Sequence, residues 1–422
     1  MASFPRFVPP ASRVEFTPGW HPRTWELTGI VALLLGLLTG VAFALFADRG
    51  SLAGERYHLW RWQTETLTST VFARLGIGPD PDAAAGEQAV RSYFRITSQL
   101  RTALDTDPAN VTLIDALVSE RSVYENDVER FVEGAIADAV REAGLTRSLP
   151  LFNGVRILWP PVDFELTTPP QLLVRSPRDR IERSGDTLLQ PGLTFAEIEE
   201  IERKTEDDDT STIVVSIGGL AAYPAIVTAD RSYDGLLDTA AHEWVHHYLA
   251  FYPLGEAWGQ GGDAYTLNET TAELAGREIA NLVRKNAPIE LPSGEDGRAL
   301  PRTNAPPVTI DFNTEMRTTR LEVDRLLAEG KVDEAERYME ERRRFLEEHG
   351  ISIRRLNQAY FAFYGTYASG PASSDPIGPK VNRVWELTGD VGVFLAVMRE
   401  VATVEQLDRA IAALEAVGAD GK

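Results

Sequence analysis

Residues 242–246 read His-Glu-Trp-Val-His, and this pentapeptide constrains the chain more than any other stretch. Three of the six histidines, His242, His246 and His247, fall within six residues. On an α-helix, positions i and i+4 share a face. A helix over residues 236–252 therefore points the His242 and His246 imidazoles at one ion. Glu243 follows the first of them directly, so its carboxylate can reach a water on that ion. Two neutral nitrogen donors, an open position and a base beside it are what a zinc hydrolase needs. Leu237, Ala241, Val245, Tyr248 and Tyr252 recur at helical spacing and predict a core-facing stripe next to the two histidines. His247 lies about 100° round the helix from His246. It is expected to flank the site without joining it.

A third protein ligand has to come from elsewhere. After a Gly-rich loop over residues 253–266 comes Asn-Glu-Thr-Thr-Ala-Glu, residues 268–273. The pattern predicts a second helix from Asn268, as N-cap, to about residue 285. Glu269 and Glu273 are i and i+4 on it. One can bind the metal while the other accepts the second N–H of a ligating histidine. The competing reading is an acidic first turn that complements the helix dipole.

Together, HEWVHH and NETTAE, with 22 residues between His246 and Glu269, resemble the gluzincin metallopeptidases, which include thermolysin-like proteases and zinc aminopeptidases. The resemblance covers about 70 residues. It implies Zn2+ held by His242, His246 and Glu269, with Glu243 as general base and Glu273 at an acidic position behind the ligands. It also implies a peptide or protein substrate, and an α+β fold whose catalytic domain is zincin-like and mainly helical around a small mixed or antiparallel sheet. The HExxHxxGxxH pattern is absent, since Leu249 stands where its glycine would be, and so is the Gly-Ala-Met-Glu-Asn signature of one aminopeptidase branch. Residues 216–224, 356–360 and 365–367 are loosely similar to a family of predicted bacterial aminopeptidases. Thermolysin-like enzymes stabilise the oxyanion with a downstream histidine. The later histidine here, His349, precedes Gly350 and reads as a helix C-terminal residue. A tyrosine, Tyr367 or Tyr360, is the expected donor.

Residues 27–47 carry no charge and are long enough to span a hydrocarbon core of about 30 Å. Trp20, Trp25, Trp60 and Trp62 flank them as an aromatic belt would. We expect an uncleaved single-pass anchor in the cell membrane, with the remainder extracytoplasmic; a signal peptide cleaved after Ala42-Phe43-Ala44 is the competitor. An N-terminal tail (1–26) precedes the anchor. A juxtamembrane segment and linker (48–86), which includes the Pro/Gly/Ala stretch 76–86, follows it. A helical region (87–149) then reads as two helices with a break at Asp107-Pro108, with Val90, Phe94, Ile96 and Leu100 on one face and Val128, Phe131, Val132, Ala135 and Ile136 on the other.

The zincin-like core is expected over 150–285. Within it, 155–159 and 171–175 read as strands, 195–204 as a helix, and 213–228 as two strands bent near 218–223, with Pro224 favouring an edge. An edge strand there could bind an extended peptide. A Pro-rich linker (286–307) leads to a C-terminal helical region (308–422) that packs on the core. In it, 313–349 reads as two charged helices broken at Gly330, 353–367 as an apolar segment, and 381–398 and 404–417 as amphipathic helices. The net charge of −21 argues against a nucleic-acid partner. The absence of cysteine excludes disulfides, Cys-zinc sites and thiol nucleophiles. Two other classes stay open: a catalytically inactive peptidase-like scaffold in the cell envelope, against which the intact Glu243 speaks, and a zinc hydrolase of a non-peptide bond. Asp238 and Glu243 lie outside apolar spans, which argues against an intramembrane protease.

Overall fold

Among the described residues helices open and close the chain and the short strands fall between residues 146 and 228; the fold is α+β, mostly helical with small sheets. A computed structural model describes residues 54–63, 83–106, 110–148, 156–298, 308–367 and 370–420, together with residues 52, 66 and 108. The expected anchor at 27–47 and the tail before it lie outside the described residues. Among the described residues no helix is long and apolar enough to cross a membrane.

Three helices, not two, fill the first helical region: α1 (Ala83–Leu104), α2 (Val111–Ser122) and α3 (Glu125–Glu142). The Asn110 side chain caps α2 by accepting from Leu113 N. This helix buries only Leu117 and Arg121 and leaves Val111, Leu113 and Val118 exposed, so no apolar period marked it. The first four residues of α1 fall in the stretch read as linker; its alanines favour helix. The predicted stripes hold, with Val90, Phe94, Ile96, Leu100, Val128, Val132 and Ile136 all buried.

A two-stranded pair, β1 (Thr146–Ser148) with β2 (Arg156–Leu158), precedes two three-stranded sheets. Their remaining strands are β3 (Phe164–Thr167), β4 (Gln171–Pro177), β5 (Gly185–Leu189), β6 (Thr210–Ser216), β7 (Gly219–Leu220) and β8 (Ala225–Thr228). One sheet has the order β3-β8-β7, with β3 parallel to β8 and β7 antiparallel to it. The other, β5-β4-β6, is antiparallel, with Leu173 opposite Thr187 on one side and Val214 on the other. Residues 213–228 thus contribute to both sheets. Pro224 ends the turn before β8, which is central in its sheet; the edge strands are β3 and β7. Helix α4 (Phe195–Thr205) opens with a capping box between Thr194 and Glu197.

Side chains close several strand edges. On the outer edge of β3, Phe164 N donates to Glu133 (2.9 Å) and Leu166 N to Glu129 (2.6 Å). Burial raises both carboxyl pKa values, that of Glu129 to about 8. On the outer edge of β6, Val214 N donates to Glu202 (2.7 Å), while Asn357 Nδ2 donates to Thr212 O (2.9 Å). Glu202 is held in turn by Arg354 and Arg355. The outer edge of β5 meets residues 55–57 through Tyr57 N to Leu188 O and Gln190 N to Glu55 O.

The motif helix is α5 (Tyr233–Leu249), capped by Ser232. A short helix α6 (Pro253–Glu256) and a 3-10 turn (Trp258–Gln260) lead into α7 (Gly262–Asn286). The segment read as a Gly-rich loop is therefore largely helical. Helices α5 and α7 pack closely: a Cβ on Gly276 would lie 2.8 Å from both N and Cα of His242. Both helices share one core with α1 and α3, including Phe94, Ile136, Leu237, Trp244, Val245, Leu267 and Ile279.

Helices α8 (Phe312–Ala328) and α9 (Val332–Glu348) turn at Gly330 (φ 73°), as predicted, and bury Met316, Val323, Met339 and Leu346 in a second core. Helix α10 (Gln358–Tyr364) places Ala359 and Phe363 on the β4/β6 face. The segment 381–398 is split between α11 (Ile377–Thr388) and α12 (Val391–Met398) by left-handed Gly389 and the Asp390 N-cap. With α13 (Val404–Asp420) they close the first core.

Candidate metal centre

His242 and His246 occupy successive turns of α5, and Glu269 faces them from the middle of α7. Their Nε2 atoms lie 2.9 Å apart, and Glu269 Oε2 lies 3.6 Å from His242 Nε2 and 3.7 Å from His246 Nε2. Two ligands about 2.0–2.2 Å from a tetrahedral zinc are separated by about 3.3–3.5 Å, and the two carboxylate distances are close to that edge. Glu269 Oε2 is buried and accepts no hydrogen bond, so the fold leaves one anionic oxygen aimed between two imidazoles without a proton donor. Buried polar atoms are ordinarily partnered. The donor set, two nitrogens and one carboxylate with no thiolate, fits zinc with a fourth position open.

The histidine orientation comes from Asn268. Its Nδ2 donates to Leu254 O (3.2 Å), which turns Oδ1 toward His246 Nδ1 at 2.8 Å. A carboxamide oxygen only accepts. His246 therefore carries its proton on Nδ1 and presents the Nε2 lone pair to the cluster, the tautomer a metal ligand requires. Asn268 is thus an interior residue of α7, not its N-cap, because the helix begins at Gly262. Glu273 lies one turn beyond Glu269 and lines the same cleft.

Charge and burial oppose each other in the cluster. Burial disfavours a charge on His246, but the Glu269 carboxylate outweighs it and holds the pKa above the usual imidazole value. Burial likewise works against ionised Glu269, and His246 and His242 overcome it, so that carboxyl stays well below its ordinary range. Burial raises Glu243, with the two imidazoles pulling the other way. Its carboxylate lies against Gly219, where a Cβ would come within 2.3 Å of Oε1. His247 points away from the cluster, as expected. It is buried, its Nε2 donates to Ala222 O (2.6 Å), and burial lowers its pKa to about 4.

An open cleft of about 1030 Å³ gives access to these groups. Tyr367 lines it, with its ring 6.4 Å from that of His242. The Glu269 charge and burial push the Tyr367 pKa well up, so the hydroxyl keeps its proton. Tyr360 does not line the cleft; it packs between Phe361 and Tyr364. His349 caps α9 and bonds Phe345 O (2.7 Å), away from the cluster. Four cleft residues carried no recognisable sequence signal. Trp258 meets His246 edge to face at 5.0 Å, and Tyr265 packs on Trp258 at 4.4 Å. Arg183 stacks over Tyr265, donates to its hydroxyl and pairs with Asp186 (2.7 Å). Arg231 is the fourth. The segment 216–221 forms the wall nearest Glu243, while Leu172, Leu188 and Phe363 supply an apolar side. No family model, curated protein or solved structure matches the chain.

Proposed function

We propose that this chain is a zinc-dependent peptidase of the gluzincin type. The observation that supports it best is the His242–His246–Glu269 cluster, with Glu243 beside it at the wall of an open cleft. Zinc bound there would lower the pKa of a water to about 7 and polarise the scissile carbonyl. Glu243 is the group placed to take a proton from water above the cluster and return it to the leaving amine. Its raised pKa moves it toward the range in which a carboxylate can do both. Tyr367, held protonated, is the donor for the developing oxyanion. Asn268 fixes the His246 tautomer, and Glu273 supports the ligands from behind. Strand β7 offers a main-chain edge along which an extended peptide can lie, with the apolar wall receiving its side chains. In the same proposal residues 27–47 anchor the protein in the cell membrane with the cleft outside; protease shaving of intact cells that spares the large domain would overturn that orientation.

The test is metal content together with hydrolysis of a peptide library. The reconstituted protein should hold one zinc per chain, and His246→Ala should lose it. Glu243→Gln should keep the metal and lower hydrolysis by about 10²–10⁴-fold. A zinc-loaded wild type that cuts no peptide, or a Glu243→Gln variant that cuts as well as wild type, would defeat the proposal.

A further inference from the structure

The cleft holds a cation with no ion-pair partner among the described residues, whose charge acts at longer range on Glu243. Arg231 stands between β8 and α5 and lines both the catalytic cleft and an adjoining cavity of about 520 Å³, whose wall also carries Arg101, Arg298 and Ser232. The nearby carboxylates are engaged elsewhere: Asp230 with Arg121 (3.1 Å), Asp238 with Arg284 (2.7 Å), and Asp234 with Arg284 (3.0 Å) and Arg298. Arg101 donates to Asp230 O. Among the described residues no carboxylate lies within 4.0 Å of the Arg231 guanidinium, in a chain with 63 acidic residues. The guanidinium rests against Gly218, where a Cβ would lie 1.7 Å from Nη2; the Glu243 carboxylate rests against the next residue, Gly219. Two consecutive glycines therefore set the base and the free cation side by side along the cleft wall, and neither could carry a side chain without displacing its neighbour.

We propose that the cleft selects substrates bearing a carboxylate one or two residues from the bond that is cut, with Arg231 as the group that binds it. This rests on the peptidase reading of the same site. An extended peptide advances about 3.3 Å per residue, and adjacent Cα atoms are 3.8 Å apart. A scissile amide beside Glu243 thus brings the next residue or the one after it to Arg231. The guanidinium fork is planar and matches a carboxylate with two parallel N–H donors. The carboxylate can be the C-terminus of a short peptide or an Asp or Glu side chain, and the two are separable.

The experiment uses the full chain in detergent, zinc-loaded and carrying Glu243→Gln so that ligands survive. Calorimetry compares acetyl-trialanine as the free acid, its C-terminal amide, and an amide with Glu in the last position. One or both acidic peptides should bind about tenfold or more tightly than the neutral amide, as one charge-assisted pair allows, and which of them does so identifies the source of the carboxylate. Arg231→Leu in that background should abolish the preference and Arg231→Lys should keep part of it. Arg231 is exposed, and an unchanged melting temperature would show that Arg231→Leu still folds. Equal affinity for all three peptides, or a preference that survives Arg231→Leu, would overturn the inference. Wild-type hydrolysis without a carboxylate preference would sink this inference and leave the peptidase reading standing. Carboxylate-dependent binding without hydrolysis in the wild type would do the reverse.

Discussion

Gly276→Ala tests whether helix packing sets the metal geometry. The added Cβ would sit 2.8 Å from N and Cα of His242 and 3.2 Å from its Cβ. Carbon atoms pack best at about 3.5–4.0 Å, so α5 and α7 must part by about 0.7 Å or more. Backbone cannot swing aside as a side chain can. Overpacking of this kind typically costs about 1–3 kcal/mol, and replacing an interior helix glycine by alanine returns about 1 kcal/mol. The net loss of stability is therefore small, about 0–2 kcal/mol by the same figures. The effect on the cluster is larger. His242 and His246 move with α5 and Glu269 with α7, while ligand distances tolerate only about 0.2 Å. Zinc affinity should fall by about 10–100-fold, the usual range for disturbed ligand support. Competition against a chromogenic chelator measures it, alongside thermal melting. Gly134→Ala on α3 is the control, because nothing lies within 4 Å of its added Cβ; it should be neutral or stabilising and leave zinc untouched. If Gly276→Ala binds zinc as tightly as wild type, the claim that this contact sets the ligand spacing is wrong.

Asn268→Leu removes the acceptor that fixes the His246 tautomer and should weaken zinc binding by about 10–100-fold, whereas Asn268→Asp, which keeps an acceptor, should retain most of it; equal affinity in wild type and Asn268→Leu would refute the role. Glu129 predicts a pH effect. Its folded pKa, about 8, lies above the ordinary carboxyl value of 4.5, so its contribution is fully present below about pH 4.5 and is lost as pH rises through about 8. Glu129→Gln should therefore gain melting temperature relative to wild type between pH 5 and 8, and a difference constant across that window would remove the argument.

The gathering of His242, His246 and Glu269 was legible because its signals are local. A helix makes i and i+4 neighbours, so His242, His246 and the acidic turn after them could be read without knowing the fold. Asn268 was misread for a related reason. α7 starts at Gly262 with no side-chain cap, whereas Asn268 looks like a cap and stands where one was wanted. Tyr367 was half legible: two aromatic candidates were visible, and only the path of the chain after α10 brings one into the cleft. Arg183 and Arg231 were not legible. Each is one arginine among 42 basic residues; Arg183 meets Tyr265 on a helix distant in sequence, and Arg231, just before α5, matters only because Gly218 of another segment lies against it. The division of 213–228 between two sheets escaped for the opposite reason, since a run of apolar residues does not say which partner each strand will find. α2 escaped because it hardly has an apolar face.

The closure of the strand edges bears on how copies of this protein meet one another. Open edges are the usual nuclei of chain-to-chain pairing. Here Glu129 and Glu133 cover β3, Glu202 and Asn357 cover β6, and residues 55–57 cover β5. Fixed acceptors and donors from neighbouring segments occupy these edges. Among the described residues, what this leaves in the two larger sheets is β7, in the wall of the cleft. Within these two sheets a foreign strand that docks by main-chain pairing would do so beside Glu243, the place the proposed peptide substrate would take. On the peptidase reading, a peptide lying along β7 would cover that two-residue edge as the neighbouring segments cover the others.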